Sequence, residues 1–317
     1  MNYKLAVVDI GTYSTRLLIS AVHIKNSLEE TLSNIEDIFS VGRITALGRN
    51  LKETGVLQEE AINQVLSTLK EYVLIANEYK VNQIIGYATQ ACREAKNSNQ
   101  FIEKIKKLGI DVKIITGDEE AFLSFLATAY GIKPKKDFVV IDQGGGSTEF
   151  VYGTKNSQYS LKESVSFPFG IVSLTEKFIK SDPPKSIELE EMREFLINHY
   201  KTIKHFEKAP IFIGLGGTIT TLAALEKHIF PYSSHKVHNQ KLTKKAIKKW
   251  LNKLSSMTIE KRKSIPIIED KRAEAIISGI IIFDTALDYF GHDEITVSDW
   301  GLRHGAVIKK VMEMFND

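Results

Sequence analysis

Hydrophobic and polar positions fall in blocks whose period changes along the chain. Leu5-Ala6-Val7-Val8 is an unbroken apolar run, which predicts a strand over 4–8, and a second apolar stretch predicts a strand over 16–24. From 57 to 80 the period becomes helical, with Ile62, Val65, Leu66, Leu69, Val73 and Ala76 on one face. A strand over 83–88, a helix over 99–108 and a strand over 112–116 follow. The stretch GRITALGRNLKETG, 42–55, reads as a basic, glycine-punctuated connection. The order β-β-α-β-α-β indicates a mixed sheet with helices on its faces, an α/β arrangement.

A second block begins near GDEEAFLSFLATAYG, a helix with Asp118, Glu119 and Glu120 in its first turn. Beyond it come a glycine loop between apolar runs, the stretch SDPPKS, and a helix capped at Ser186. A strand over 210–214 leads into GLGGTITTLAALEK, and a strand over 294–298 runs into DWGLRHG. The last strand and helix are expected to return to the first domain. The expected domains are 1–118 with about 299–317, and 119–298.

The boundary near 118 comes from a duplication. VVDIGTYST, 7–15, aligns with VIDQGGGST, 140–148: two apolar residues, Asp, any residue, Gly, two residues, Ser-Thr. Glycine lets backbone N–H groups come close to a ligand, and successive N–H groups in a turn bind anionic oxygen. This makes Gly11, Thr12, Ser14, Thr15 and Gly144, Gly145, Gly146, Ser147, Thr148 candidate phosphate binders. A third loop, Gly216-Gly217-Thr218, opens a helix and adds an N-terminal anion site. Asp9 and Asp142 precede the twin loops and would repel phosphate unless a cation lies between, so they are candidate Mg²⁺ or other divalent-cation ligands. Glu149 is a rival base or a further metal ligand. Any one loop could equally be a tight hairpin with a glycine bulge. No loop has the Walker A spacing.

Composition narrows the class. The 317 residues are 43% hydrophobic and 26% charged, with net charge +3 and pI near 8.6, which is too mildly basic to argue for a nucleic-acid protein. Cys92 is the single cysteine, which suits a reducing compartment. The run Ala275 to Phe283 is stopped by Asp284 and is too short to span a bilayer, and the first residues lead straight into a strand without a signal-peptide pattern. The expectation is a cytoplasmic protein with no nucleic-acid or membrane partner. Its oligomeric state stays open, a homodimer included.

Two domains that each carry a strand–Asp-x-Gly hairpin resemble the actin-like (ribonuclease H-like) architecture. In order and spacing, DIGTYSTRL, ATQACREAKN, GDEEA, DQGGGSTE, GLGGTITTLAAL, KVHNQKLT, DKRAEAI and DWGLRHG resemble the exopolyphosphatase/guanosine pentaphosphate phosphohydrolase (Ppx/GppA) family in its short, two-domain form. The resemblance implies two mixed sheets flanked by helices with the active site in the interdomain cleft. It also implies release of the terminal phosphate of polyphosphate or of pppGpp, giving ppGpp. By the same resemblance Glu120 activates the attacking water, Arg93 and Arg16 contact phosphate or nucleotide, Asp142 is associated with metal, and Gly144 to Thr148 form the phosphate loop. Arg272 takes the place of a substrate-contacting arginine, followed here by Glu274 where the family usually has Asp. His304 stands where an acid is more usual.

Structural readings stand beside these. Acids in a first helical turn are favoured by the helix dipole, so Glu119 and Glu120 could simply cap. Cys92 reads as a packed residue, and KLTKKAIKKWLNKL as a surface helix. Two other functions remain: a small-molecule phosphotransferase using ATP, and a guanosine-polyphosphate-binding regulator with little turnover.

Overall fold

The computed structural model describes residues 2–316. The chain divides into two compact units. One runs through Tyr130 and takes in the residues from Leu302 onward; the other is Gly131–Gly301.

The first unit is built on a five-stranded sheet of β1 (Asn2–Ile10), β2 (Ser14–His23), β3 (Ile35–Ile44), β4 (Gln83–Ala88) and β5 (Asp111–Ile114), in the order β3-β2-β1-β4-β5. The first three form an antiparallel meander, and β4 and β5 join parallel to β1. β1 is central, and its alternating side chains serve two cores. Ala6, Val8 and Ile10 pack with Val65, Leu69 and Tyr72 of the helix Glu59–Glu78. Leu5 and Val7 pack with Leu302, Ala306 and Val307 of the helix Leu302–Asn316.

The second unit repeats the plan. β6 (Phe138–Gln143), β7 (Thr148–Lys155), β8 (Tyr159–Phe167), β9 (Ile211–Leu215), β10 (Lys241–Thr243) and β11 (Glu294–Val297) lie in the order β10-β11-β9-β6-β7-β8. Again a three-strand antiparallel meander is extended by parallel strands, β9 on β6 and β11 on β9. Matching β1, β2, β3, β4 and β5 to β6, β7, β8, β9 and β11 superposes the two strand orders. The fold is α/β, two mixed sheets flanked by helices, as expected of an actin-like pair.

Several boundaries differ from those read in the sequence. β3 and β8 were not anticipated. Both are edge strands with little buried surface, so neither shows a clean apolar period. The helix Gly117–Gly131 falls almost wholly in the first unit, whose expected limit was 118. At Gly305 the carboxy-terminal helix comes so close to it that a Cβ would lie 1.9 Å from the Leu123 carbonyl oxygen. β11 stays in the second sheet, so only the last helix returns to the first unit. Ser186 is the first residue of its helix rather than the cap; Glu188 accepts the Lys185 N–H at 2.9 Å.

The returning helix is also tied by polar contacts. Arg303 donates to the Leu17 carbonyl at 2.7 Å and to Ser40 Oγ at 3.0 Å, and His304 Nε2 lies 2.9 Å from Asp37 Oδ2. Ser20 donates to the other Asp37 oxygen at 3.0 Å. Burial alone would raise the Asp37 pKa, but the hydrogen bond and charge of His304, with Ser20 and Arg303, hold it below the usual aspartate range. A carboxyl depressed in the folded state stabilises fully above its unfolded pKa and loses that contribution as pH falls through the folded value. Asp37→Asn should therefore lower the melting temperature at neutral pH and flatten the loss of stability below about pH 4. Thermal melts across acid and neutral pH would check it, and an unchanged acid limb would count against the pair.

Candidate functional site: two glycine hairpins and an arginine–glutamate pair

The two hairpins share one turn. Gly11 N–H donates to the Ser14 carbonyl at 3.0 Å, and Gly144 N–H to the Ser147 carbonyl at 2.9 Å. A Cβ on either glycine would sit 3.0 Å from that same carbonyl oxygen, so the close approach calls for glycine at both positions.

Each turn is tied back through its carbonyls. In the second unit, Ile171 and Val172, the first residues of the helix Ile171–Phe178, donate to the Gly144 and Gly145 carbonyls at 3.1 and 2.8 Å. A trans peptide points its N–H opposite to its C=O. The N–H groups of Gly145 and Gly146 therefore face away from that helix. In the first unit Gly48 donates to the Thr12 carbonyl at 2.9 Å, and Thr45 and Ala46 to the Tyr13 carbonyl at 3.1 and 2.9 Å. There the N–H groups of Tyr13 and Ser14 are turned outward in the same way. The segment read as a basic connection thus braces the first hairpin.

The hydroxyls divide between two tasks. Thr15 and Thr148, expected among the phosphate binders, are both 0% exposed. Thr15 Oγ1 is bonded to Thr45 Oγ1 at 3.0 Å, and Thr148 Oγ1 donates to the Phe169 carbonyl at 2.8 Å. They pin the hairpins into the core and present nothing outward. Thr218 is also buried, packed against Gly279 of the helix Asp270–Phe290. Thr12 and Ser14 are half-buried and Ser147 is buried.

Within the second unit the third glycine loop lies beside the hairpin. Gly216 has φ +106°, and a Cβ there would be 2.5 Å from the Gln143 carbonyl oxygen. The following helix, Gly217–Glu226, therefore starts next to the Gly144 turn. Arg272 lies over that start: a Cβ on Gly217 would be 1.7 Å from Arg272 Nη1, and Nη2 pairs with Glu269 at 2.9 Å. Gly279 and Gln143 complete the packing, Gln143 Nε2 donating to the Gly279 carbonyl at 2.7 Å.

The strand registers set different charges beside each hairpin. Asp9 faces Arg16, whereas Asp142 faces Glu149, and cross-strand partners share a face. The stem of Arg16 runs across Gly42 on β3. Glu149 is 1% exposed and accepts from Ser166 Oγ at 2.9 Å. Among the described residues no three His, Cys, Asp or Glu side chains cluster to hold a metal. A Mg²⁺ bound by one or two carboxylates and completed by substrate phosphates needs no such cluster. The residues fit that mode better at Asp142 and Glu149 than at Asp9, whose neighbour is cationic.

The acids at residues 118–120 separate by role. Thr116 and Glu119 form a capping box: Thr116 N–H donates to Glu119 Oε2 at 2.9 Å, and Glu119 N–H to Thr116 Oγ1 at 3.1 Å. Lys113, first of all, and the Thr116 N–H hold Glu119 below the usual carboxylate range. Glu120, one residue on, turns to Arg93, whose Nη1 lies 2.8 Å from Glu120 Oε2 and 2.8 Å from the Ile115 carbonyl oxygen. Both partners are half-buried. Cys92 is packed; burial pushes its thiol up to about 12 although Arg93 pulls the other way, so it is no thiolate at neutral pH.

The Ppx/GppA phosphatase family model matches residues 23–314. The chain belongs to this family. The Ppx/GppA family member of Aquifex aeolicus, a crystal structure, is 41% identical, covers 99% of each chain and has a TM-score of 0.83. Exopolyphosphatase 2 of Mycobacterium tuberculosis is 30% identical, covering 96% of this Ppx/GppA chain and 98% of its own length. The bifunctional 3-dehydroquinate synthase/phosphatase of Fusobacterium nucleatum is 33% identical across 98% of this chain, which spans 47% of that protein. Among the described residues no helix is long and apolar enough to cross a membrane.

Sequence reading missed the braces: Gly170, the 45–48 segment and Gln143. Gly170 and the 45–48 segment carry no periodic or motif signal because they act by backbone contact, whereas Gln143 lies within the second hairpin's motif and acts through its side-chain amide. A Cβ on Gly170 would lie 2.5 Å from the Gly144 carbonyl oxygen and 2.6 Å from Gly145 backbone atoms. Gly170→Ala should thus cost about 1–3 kcal/mol. At Gly217 the added methyl meets only the movable end of Arg272, so Gly217→Ala should stay within about 1 kcal/mol. Urea unfolding of the two variants checks the contrast; equal losses would refute it.

Proposed function

We propose that the chain is a phosphohydrolase that removes the terminal phosphate of inorganic polyphosphate, with guanosine pentaphosphate (pppGpp to ppGpp) as the alternative substrate. The observation that carries this reading is the Arg93–Glu120 pair at 2.8 Å, made while the adjacent Glu119 takes over the capping task. The name of the mycobacterial relative, an exopolyphosphatase, supports polyphosphate as the first substrate to test.

In this reading the N–H groups of Tyr13 and Ser14, and of Gly145 and Gly146, receive phosphate oxygens. The helix start at Gly217 and the guanidinium of Arg272 add donors, and Arg16 contacts phosphate or nucleotide. Arg93 orients the Glu120 carboxylate and neutralises phosphate charge. Glu120 aims a water at the terminal phosphorus and accepts its proton as the P–O bond to the rest of the chain breaks; the shortened chain leaves carrying the bridging oxygen. Glu149, buried and opposite Asp142, serves the metal side of the site rather than the water. Asp142 with Glu149 would hold Mg²⁺, which when bound neutralises phosphate oxygens. The single buried cysteine suits a cytoplasmic setting.

Purified protein should release orthophosphate from polyphosphate or pppGpp without an acceptor. Glu120→Gln keeps the shape but removes the base, so kcat should fall about 10²–10⁴-fold with KM nearly unchanged. Side-by-side turnover assays on both substrates test this. Formation of ADP and a phosphorylated acceptor, without orthophosphate release, would replace the reading with phosphotransfer, and full activity of Glu120→Gln would remove Glu120 as the base.

A further inference from the structure

A second arginine lies close behind Arg272. Arg262 is on the short helix Ile259–Lys263, yet it is 2% exposed. Its Nη1 donates at 2.7 Å to the carbonyl of Ala273, the residue directly after Arg272. Its Nη2 pairs with Asp182 Oδ1 at 3.1 Å. The Asp182 carboxylate also accepts the Ile259 N–H at 3.0 Å, which ties it to the start of Arg262's own helix. Arg262 Nε finds no hydrogen-bond partner among the described residues.

Burying a guanidinium is costly unless its donors are met, and an apolar residue of similar volume often packs as well. Here the fork is only partly satisfied, and its shortest bond goes to one carbonyl in the first turn of the helix Asp270–Phe290. That turn carries Arg272, and Arg272 lies on the Gly217 backbone. The path is short: Asp182 to Arg262, Arg262 to the Ala273 carbonyl, and Arg272 to the helix start at Gly217. Planar two-armed geometry matters in such a path, because a lysine ammonium cannot bridge a carbonyl and a carboxylate in one fixed plane.

We propose that Arg262, anchored by Asp182, is a positioning residue that fixes the first turn of the helix Asp270–Phe290 so that Arg272 stays over the Gly217 helix start. It touches no substrate and acts through Arg272. The inference rests on the proposed substrate contact of Arg272, and the experiment separates the two.

Arg262→Lys, Arg272→Ala and the double variant are compared in polyphosphate turnover, with tripolyphosphate binding measured by calorimetry so that the result does not depend on activity. Arg272→Ala should raise KM and the tripolyphosphate Kd about tenfold. Arg262→Lys should raise both about threefold or more with kcat within about twofold. In the Arg272→Ala background it should add nothing, because its route is already cut. Where Arg262→Lys fails to fold, Asp182→Asn, which loosens the same anchor, should give the same pattern. If Arg272→Ala changes neither KM nor Kd, the substrate role of Arg272 falls and the positioning role with it. If Arg272→Ala acts but Arg262→Lys or Asp182→Asn lowers only thermal stability, or acts equally in the Arg272→Ala background, the positioning role alone is overturned.

Discussion

The constraint on which each glycine hairpin depends is the tethering of its carbonyls. A four-residue turn between strands has as many acceptors as donors, and it attracts anions only if the acceptors are engaged elsewhere. In the second unit the start of a helix takes them, at Gly144 and Gly145; in the first, the chain after β3 takes them, at Thr12 and Tyr13. The two solutions use unrelated segments and engage two successive carbonyls each, one position further along in the first hairpin than in the second. Close contact at Gly170 and at Gly48, where a Cβ would meet Thr12 at 2.3 Å, follows from that tethering.

Local sequence pattern carried the central strands, the long helices and the twin hairpins, because each is a dense local signal: continuous apolar runs, helical spacing, and Asp-x-Gly-x-x-Ser-Thr at matching positions. It did not carry β3 and β8, which as edge strands bury little. Nor could it separate hydroxyls that face out from those that face in. Thr15 and Ser14 are neighbours in sequence, yet the pleat sends Thr15 into the core toward Thr45. The acids at the start of Gly117–Gly131 were legible as a group. Their separation into a cap at Glu119 and a partner for Arg93 at Glu120 depends on the rotation from one helical residue to the next and on the short helix Gln90–Glu94, which brings up Arg93.

Duplication has left the backbone alike and the charge unlike. At equivalent register positions Arg16 faces Asp9 and Glu149 faces Asp142. One copy therefore offers a mixed pair and the other a doubly acidic one.

The first unit takes its strands from one end of the polypeptide and its closing helix, Leu302–Asn316, from the other. During synthesis the intervening unit, continuous from Gly131 to Gly301, can complete its core as it leaves the ribosome. The earlier-made sheet must wait with Leu5, Val7 and Leu18 uncovered on one face until that helix arrives. Only the other face of that sheet, packed with the helix Glu59–Glu78, can be covered before then.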